Sequence, residues 1–138
     1  MRFPLVLALL VTGCGGGGAE TATQGPGTEL VVEFRADAAV AATTLSLRCD
    51  PPSGEHPDPP QACADLAREP DPFAPLPPDQ VCTEIYGGPQ TATVRGTYRG
   101  EPVDVELART DGCRIAQWDL LGALLPKVAA SPGEPLPS

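Results

Sequence analysis

The cysteines constrain this chain more than any other feature of its sequence. There are five, an odd number, at positions 14, 49, 63, 82 and 113. Cys14 directly follows an N-terminal apolar run and is set apart, which leaves an even set of four. An even set in an exported chain predicts two disulfides, although the spacing alone leaves all three pairings open. A zinc site is the alternative, but it needs close ligand pairs such as C-x-x-C, which the sequence lacks.

The N-terminal segment predicts export and attachment to a membrane. One arginine is followed by an apolar run over residues 3–11, which is too short to span a bilayer. The run ends in Val11-Thr12-Gly13-Cys14, which resembles the lipobox of bacterial lipoproteins, where cleavage precedes a lipidated cysteine. We therefore expect a lipoprotein-type signal peptide over residues 1–13, followed by a lipid on Cys14 and a flexible tether over residues 14–27. The mature protein is then expected on the outer face of the cell membrane. An ordinary secretory signal with an extracellular product is the alternative.

Charge and composition limit the partners and the size of the core. Nine basic and 18 acidic residues give a formal net charge of −9, which argues against nucleic acid and anionic membrane surfaces as partners. The chain has 18 prolines and 15 glycines, and only 4% of its residues are aromatic. The core is therefore expected to be small and aliphatic, so that covalent cross-links become valuable.

Alternating polarity predicts two strands early in the chain, over residues 28–37 and 43–49. The residues expected to face inward are Leu30, Val32, Phe34, Leu45, Leu47 and Cys49. A short helix is predicted after Asp58, with Pro59 at its first position and Gln61 closing a capping box. Its buried face is expected to hold Cys63, Leu66 and Ala67.

A β-hairpin is the clearest predicted element. Residues 91–99 and 102–108 flank Gly100-Glu101, which predicts a type II′ turn with glycine first. Pairing about this turn sets apolar residues opposite one another on one face and opposite charges on the other. The expected pairs are Tyr98 with Val103, Gly96 with Val105, Val94 with Leu107, Arg95 with Glu106, and Thr97 with Asp104.

The end of the chain predicts one more helix and then a tail. Ile115, Trp118 and Leu121 keep helical spacing after Cys113, and Leu124-Leu125 is expected to form a last strand. The domain is placed at residues 28–126 and a disordered tail at 127–138. The predicted fold class is α+β, with a single antiparallel sheet, one or two short helices and two disulfides.

Catalytic motifs are absent from the sequence. It has no G-x-S-x-G elbow, no phosphate-binding glycine loop before a helix and no H-E-x-x-H. His56 is the only histidine and lies in a proline-rich loop, which is a poor setting for a general base. We therefore predict neither an enzyme nor a metal or cofactor site.

The order of the motifs resembles the Streptomyces subtilisin inhibitor family of serine-protease inhibitors. Four motifs and the cysteine spacings carry this resemblance, which extends over residues 30–125. The motifs are Ser53-Gly54-Glu55-His56-Pro57, Ala62-Cys63-Ala64-Asp65-Leu66, Val81-Cys82-Thr83-Glu84-Ile85-Tyr86, and the hairpin Gly96-Thr97-Tyr98-Arg99-Gly100-Glu101-Pro102-Val103. The resemblance implies disulfides Cys49–Cys63 and Cys82–Cys113 and a homodimer formed through the sheet.

The resemblance also implies a reactive loop. Carried over residue by residue, the bond presented to the protease is Glu84-Ile85, with Cys82 and Thr83 before it and Tyr86 after it. A carboxylate at Glu84 suits an apolar specificity pocket poorly, which points to a glutamate-preferring serine endopeptidase as the partner. Gly87-Gly88-Pro89 follows the loop and is expected to loosen it. The alternative is a non-inhibitory lipoprotein of the cell envelope, with a binding or structural role on the same scaffold.

Overall fold

The first strand is an inner strand of the sheet, because its backbone pairs with a neighbouring strand on each side. The computed structural model describes residues 27–128. Strand β1 (Thr28–Arg35) pairs antiparallel with β2 (Thr43–Cys49) and with β3 (Gly88–Tyr98), and β3 pairs with β4 (Glu101–Arg109). The strand order is β2-β1-β3-β4. The predicted fold class, one antiparallel sheet with two short helices and two disulfides, is confirmed.

One face of the sheet and both helices enclose a single apolar core. Helix α1 (Pro59–Arg68), helix α2 (Gly112–Leu120) and a C-terminal 3-10 turn (Gly122–Leu124) contribute to it. The fully buried large side chains are Leu30, Val32, Leu47, Leu66, Val94, Leu121 and Leu124. Every one of them is aliphatic, as the composition predicted.

Helix α1 begins where the sequence predicted, but its capping differs. The Asp58 side chain accepts a hydrogen bond from the Gln61 backbone N–H, and Pro59 occupies the first turn. The Gln61 side chain does not return to Asp58, because it donates to the Asp65 carboxylate instead at 2.7 Å. Ala67, which was predicted to be buried, is exposed. Ala62 is buried beside Leu66 in its place.

The hairpin register differs by two residues from the prediction. The turn is Arg99-Gly100, and both residues have positive φ, at 48° and 83°, which is the backbone of a type I′ turn. The predicted type II′ turn at Gly100-Glu101 is therefore wrong. The observed pairs are Tyr98 with Glu101, Thr97 with Pro102, Gly96 with Val103, Arg95 with Asp104, and Val94 with Val105. A shift of two residues keeps every side chain on its predicted face.

The predicted last strand at Leu124-Leu125 is also wrong. Gly122 has φ +55°, and the chain forms a 3-10 turn that buries both leucines. Consecutive residues of a strand point to opposite faces, so a strand would have exposed one of the two.

Candidate functional site

The segment that precedes β3 exposes apolar side chains. Residues 80–87 have no regular secondary structure, and Thr83, Glu84, Ile85 and Tyr86 are all exposed. Six large apolar side chains of residues 27–128 are exposed, and three of them, Val81, Ile85 and Tyr86, belong to this segment, at 95%, 58% and 62%. Apolar side chains grouped on one exposed segment are typical of an interaction site. We call residues 82–86 the 82–86 loop.

The N-terminal end of the 82–86 loop is fixed to the start of α2 by two adjacent links. Cys82 is joined to Cys113 by a disulfide with a Cα–Cα distance of 5.3 Å. The Gly112 backbone N–H donates to the Thr83 carbonyl at 2.9 Å. Asp111 caps α2 by accepting from the Arg114 backbone N–H, which fixes the turn that holds Gly112 and Cys113. The sequence signalled the disulfide but not the contact with Gly112.

The C-terminal end of the loop is fixed to the end of β4. The Gly87 N–H donates to the Arg109 carbonyl at 2.7 Å, and Gly88 pairs with Arg109 as β3 begins. Both glycines are buried. A Cβ on Gly87 would lie 2.8 Å from Ile115 Cδ1, and Gly88 has φ +133°, which favours glycine. The expectation that Gly87-Gly88-Pro89 loosens the loop is therefore wrong, because these glycines allow the chain to pack tightly there.

The residues between the two anchors contact little else. Glu84, Ile85 and Tyr86 make no hydrogen bond or ion pair with any other residue of the described range 27–128. Thr83 is tied to Gly112 and Gly87 to Arg109, so both anchors lie on the short segment from Arg109 to Cys113. A three-residue segment held at both ends and exposed in the middle is suited to binding in the cleft of a partner.

Arg109, which lies in none of the sequence motifs, joins this site to the scaffold. Its side chain is buried, with Nε 3.5 Å from the Gly87 carbonyl oxygen, and its guanidinium pairs with Asp119 at 3.3 Å. The guanidinium carbon lies 5.6 Å from the centre of the Trp118 ring. The sequence carries one signal for its burial: by alternation, Arg109 falls on the same inward face of β4 as Val105 and Leu107. A charge on an apolar face calls for buried partners.

The other cysteine pair lies away from the loop. Cys49 at the end of β2 is joined to Cys63 in α1. The two disulfides are the pairs that the resemblance implies. Cys82, Cys113 and Asp111 bring three potential metal-ligand atoms together, the one such group found within residues 27–128. Both sulfurs of that group belong to the disulfide, so it offers no thiolate ligand.

His56 has a structural position. Its ring is buried, Nδ1 accepts from the Asp58 N–H at 3.0 Å, and Nε2 lies 3.1 Å from the Leu124 carbonyl, to which it donates. The motif that carries it therefore ties the loop after β2 to the C-terminal turn. Cys14, the proposed signal and most of the proposed tether and tail lie outside the described residues. Within the range 27–128, none of the helices is both long enough and apolar enough to cross a bilayer.

Comparison with known proteins finds one family of relatives. The sequence profile of the subtilisin inhibitor-like family matches residues 27–109. Subtilisin inhibitor-like protein 1 of Streptomyces cacaoi is 34% identical over 82 aligned residues, and the match covers 56% of this chain and 74% of that protein. A solved structure, Streptomyces caespitosus sermetstatin in complex with Bacillus licheniformis subtilisin, is similar over 66% of this chain and 90% of its own, with 22% identity and a TM-score of 0.43. On the profile match and the Streptomyces cacaoi relative, and as its motifs indicated, this chain belongs to the subtilisin inhibitor-like family, whose members are inhibitors rather than enzymes.

Proposed function

We propose that this protein inhibits a serine endopeptidase by presenting the Glu84-Ile85 bond as a substrate-like reactive bond. The observation that carries the proposal is the exposed segment Glu84-Ile85-Tyr86, held at Thr83 on one side and at Gly87 on the other. Membership of a family of inhibitors and the name of the Streptomyces cacaoi relative support the same function.

The two anchors explain how a substrate-like loop can inhibit. A protease that attacks the Glu84 carbonyl forms an acyl-enzyme and releases the amino group of Ile85. Thr83 on the acyl side and Gly87 on the amine side stay attached to the segment from Arg109 to Cys113. The released amino group therefore remains close to the ester, attacks it and restores the peptide bond. Holding the loop in advance also avoids an ordering cost of about 0.5–1.5 kcal/mol per immobilised side chain.

The charge of Glu84 selects the class of protease. A carboxylate that enters a specificity pocket needs a cationic or hydrogen-bonding partner to offset its desolvation. The Glu84 side chain is exposed and makes no ion pair within residues 27–128, so its charge is available to a protease. Apolar pockets suit it poorly and acidic pockets repel it. The favoured target is a glutamate-preferring serine endopeptidase.

The test is an inhibition panel with matched variants at one position. Wild type, Glu84→Gln, Glu84→Leu and Glu84→Lys are assayed against a glutamate-preferring, a subtilisin-like and a trypsin-like serine protease. The wild type should be most effective on the first, Glu84→Leu on the second and Glu84→Lys on the third, and mass spectrometry should locate slow cleavage at Glu84-Ile85. If no variant inhibits any of the three, the proposal is wrong and the non-inhibitory envelope module becomes the better description.

Attachment to the membrane is part of the proposal. Export under a lipoprotein-type signal and a lipid on Cys14 would keep the inhibitor at the outer face of the cell membrane, where it meets secreted proteases. Cys14→Ala should move the protein out of the membrane fraction or leave the precursor uncleaved. A wild-type protein found free in the medium would contradict lipidation and favour an ordinary secretory signal.

We also propose a homodimer formed through the outer face of the sheet. The apolar side chain at the centre of that face is Val31, which is 41% exposed and lies between Ser46 on β2 and Arg95 on β3. Sedimentation should give twice the chain mass for the wild type and a monomer for Val31→Glu. A wild-type monomer at micromolar concentration would contradict this proposal and leave the inhibitory loop untouched.

A further inference from the structure

The buried arginine at the end of β4 contacts two different parts of the molecule. Arg109 is 8% exposed, and its planar guanidinium group lies over Trp118 and pairs with Asp119, both in α2. From the same group, Nε points toward the carbonyl oxygen of Gly87, where the 82–86 loop ends. The main chain of Arg109 already accepts the Gly87 N–H. One residue therefore contacts Gly87 through both its main chain and its side chain.

We propose that Arg109 is a positioning residue for the reactive bond, which holds the amine side of the loop in place through Gly87. This inference rests on the proposed inhibitory function. Only Tyr86 separates Gly87 from Ile85, whose amino group must return to the acyl-enzyme. Restraining Gly87 therefore restrains the position of that amino group. The Cys82–Cys113 disulfide and the Thr83–Gly112 bond restrain the acyl side in the same way.

Two substitutions at Arg109 distinguish a role in holding Gly87 from a role in ion pairing alone. Glutamine has an N–H donor the same number of bonds from its Cα as arginine Nε, but it carries no charge for Asp119 and Trp118. Lysine keeps the charge and can still pair with Asp119, but it has a methylene where arginine has Nε. If Arg109 acts on the loop through Gly87, Arg109→Gln should keep more of the function than Arg109→Lys. If it acts only as an ion pair with α2, the order should reverse.

The experiment compares wild type, Arg109→Gln and Arg109→Lys, with Arg95→Lys as the control. Arg95 is exposed on the outer face of the sheet and pairs with Asp104, far from the loop. The inhibition constant and the rate of net cleavage at Glu84-Ile85 are measured for each. We expect Arg109→Lys to raise both by about tenfold and Arg109→Gln to raise them less, in keeping with the cost of ordering a freed segment. Arg95→Lys should match wild type.

Amide hydrogen exchange provides a readout that needs no protease. Exchange at Gly87 should be faster in Arg109→Lys than in Arg109→Gln, while exchange at Val94, in the core of β3, stays at the wild-type rate in both. Equal acceleration at Gly87 and Val94 would mean general destabilisation and would overturn the inference. So would tighter inhibition by Arg109→Lys than by Arg109→Gln. If the wild type inhibits no protease, the proposed function fails, and Gly87 exchange alone decides whether Arg109 restrains the loop.

Discussion

The carbonyl oxygen of Thr83 and the backbone N–H of Gly112 are joined by a 2.9 Å hydrogen bond, next to the disulfide between Cys82 and Cys113. Two neighbouring residues of the loop are thus paired with two neighbouring residues of α2, one pair covalently and one by a hydrogen bond. A Cβ on Gly112 would overlap Thr83 Oγ1, so the Thr83 side chain would have to rotate or the two segments would have to separate.

We therefore predict that Gly112→Ala displaces Thr83 and weakens inhibition. Overpacking in a core costs about 1–3 kcal/mol, so about 1 kcal/mol is expected at this exposed contact, and the displacement falls one residue from the proposed reactive bond. Removing the clashing hydroxyl in Thr83→Ala/Gly112→Ala should restore most of the loss. The inhibition constants and unfolding free energies of the four proteins form a double-mutant cycle. Additive effects in that cycle would contradict direct contact between the two positions.

The two disulfides should separate stability from function. With sequence separations of 14 and 31 residues, the chain-entropy model gives about 3 kcal/mol for Cys49–Cys63 and about 4 kcal/mol for Cys82–Cys113. Cys82→Ser/Cys113→Ser should therefore lower stability by about 4 kcal/mol and turn the inhibitor into a substrate. Cys49→Ser/Cys63→Ser should lower it by about 3 kcal/mol and leave inhibition unchanged below the unfolding transition. Urea titration and inhibition assays measure the two effects, and equal loss of inhibition in both variants would contradict this division of roles.

Asp65 should make stability depend on pH in the acid range. The hydrogen bond from the Ala123 N–H, with a second from Gln61 and the charge of Arg68, lowers the pKa of Asp65 below its ordinary value of 3.8, although burial opposes the shift. The folded state thus favours the ionised carboxylate. Its stabilising effect is complete well above the unfolded pKa and is lost as pH falls through the lower folded pKa.

Asp65→Asn should accordingly cost about 1.5 kcal/mol at pH 7, and the difference from wild type should shrink below about pH 4. The control is Asp104→Asn, on a carboxylate that is 76% exposed on the outer face of the sheet. Urea unfolding at pH 3 and pH 7 gives the difference in unfolding free energy between wild type and each of the two variants at each pH. A cost for Asp65→Asn that is the same at both pH values would rule out this role for the charge.

His56 should matter for stability rather than for inhibition. Its two ring nitrogens bond the Asp58 N–H and the Leu124 carbonyl, and His56→Ala would remove both bonds, of which the one to Leu124 is buried and the one from Asp58 is partly buried. At about 1–3 kcal/mol for the buried carbonyl left unsatisfied and about 0.5–1.5 kcal/mol for the partly buried bond, the expected loss is about 2–4 kcal/mol, measured by urea unfolding. Glu55→Ala, at the exposed neighbouring position, should change stability by less than about 0.5 kcal/mol. Loss of inhibition by folded His56→Ala would show that the ring has a role beyond the scaffold.

The sequence predicts the faces of the sheet better than its register. Val94 and Arg95 occupy the sides that alternation assigned to them, yet their partners on β4 lie two residues from the predicted ones. Alternation cannot detect a shift of two residues, since the pattern repeats with that period. The register depends on the turn, and Arg99 adopts φ +48°, an uncommon conformation for a residue other than glycine. The turn propensities of the residues therefore favoured Gly100-Glu101 over Arg99-Gly100 as the turn.

The candidate site was predictable only where the chain carries a local signal. The cysteine spacing indicated that Cys82 forms a disulfide, and the family resemblance implied the reactive bond Glu84-Ile85, which stays a prediction. Gly112 leaves no such signal, and Arg109 leaves only that of a charge on the inward face of β4, because their contacts with the loop join residues more than 20 positions apart. Gly87 was misread for the same reason, since its tight packing against Ile115 exists only in the folded chain.

The direction of β1 places the point where the preceding chain enters the domain at the end opposite the 82–86 loop. Gly27 bonds the amide of Gly100 at the tip of the hairpin, whereas the 82–86 loop joins β3 at Gly88, the other end of that strand. At ~3.3 Å per residue, the 11 residues of β3 set these two ends roughly 30 Å apart. A chain that reaches the domain through Gly27 therefore arrives at the pole opposite the loop. An attachment placed before residue 27, whether a membrane anchor, a purification tag or the surface of a biosensor, would therefore join the domain at the end away from the loop.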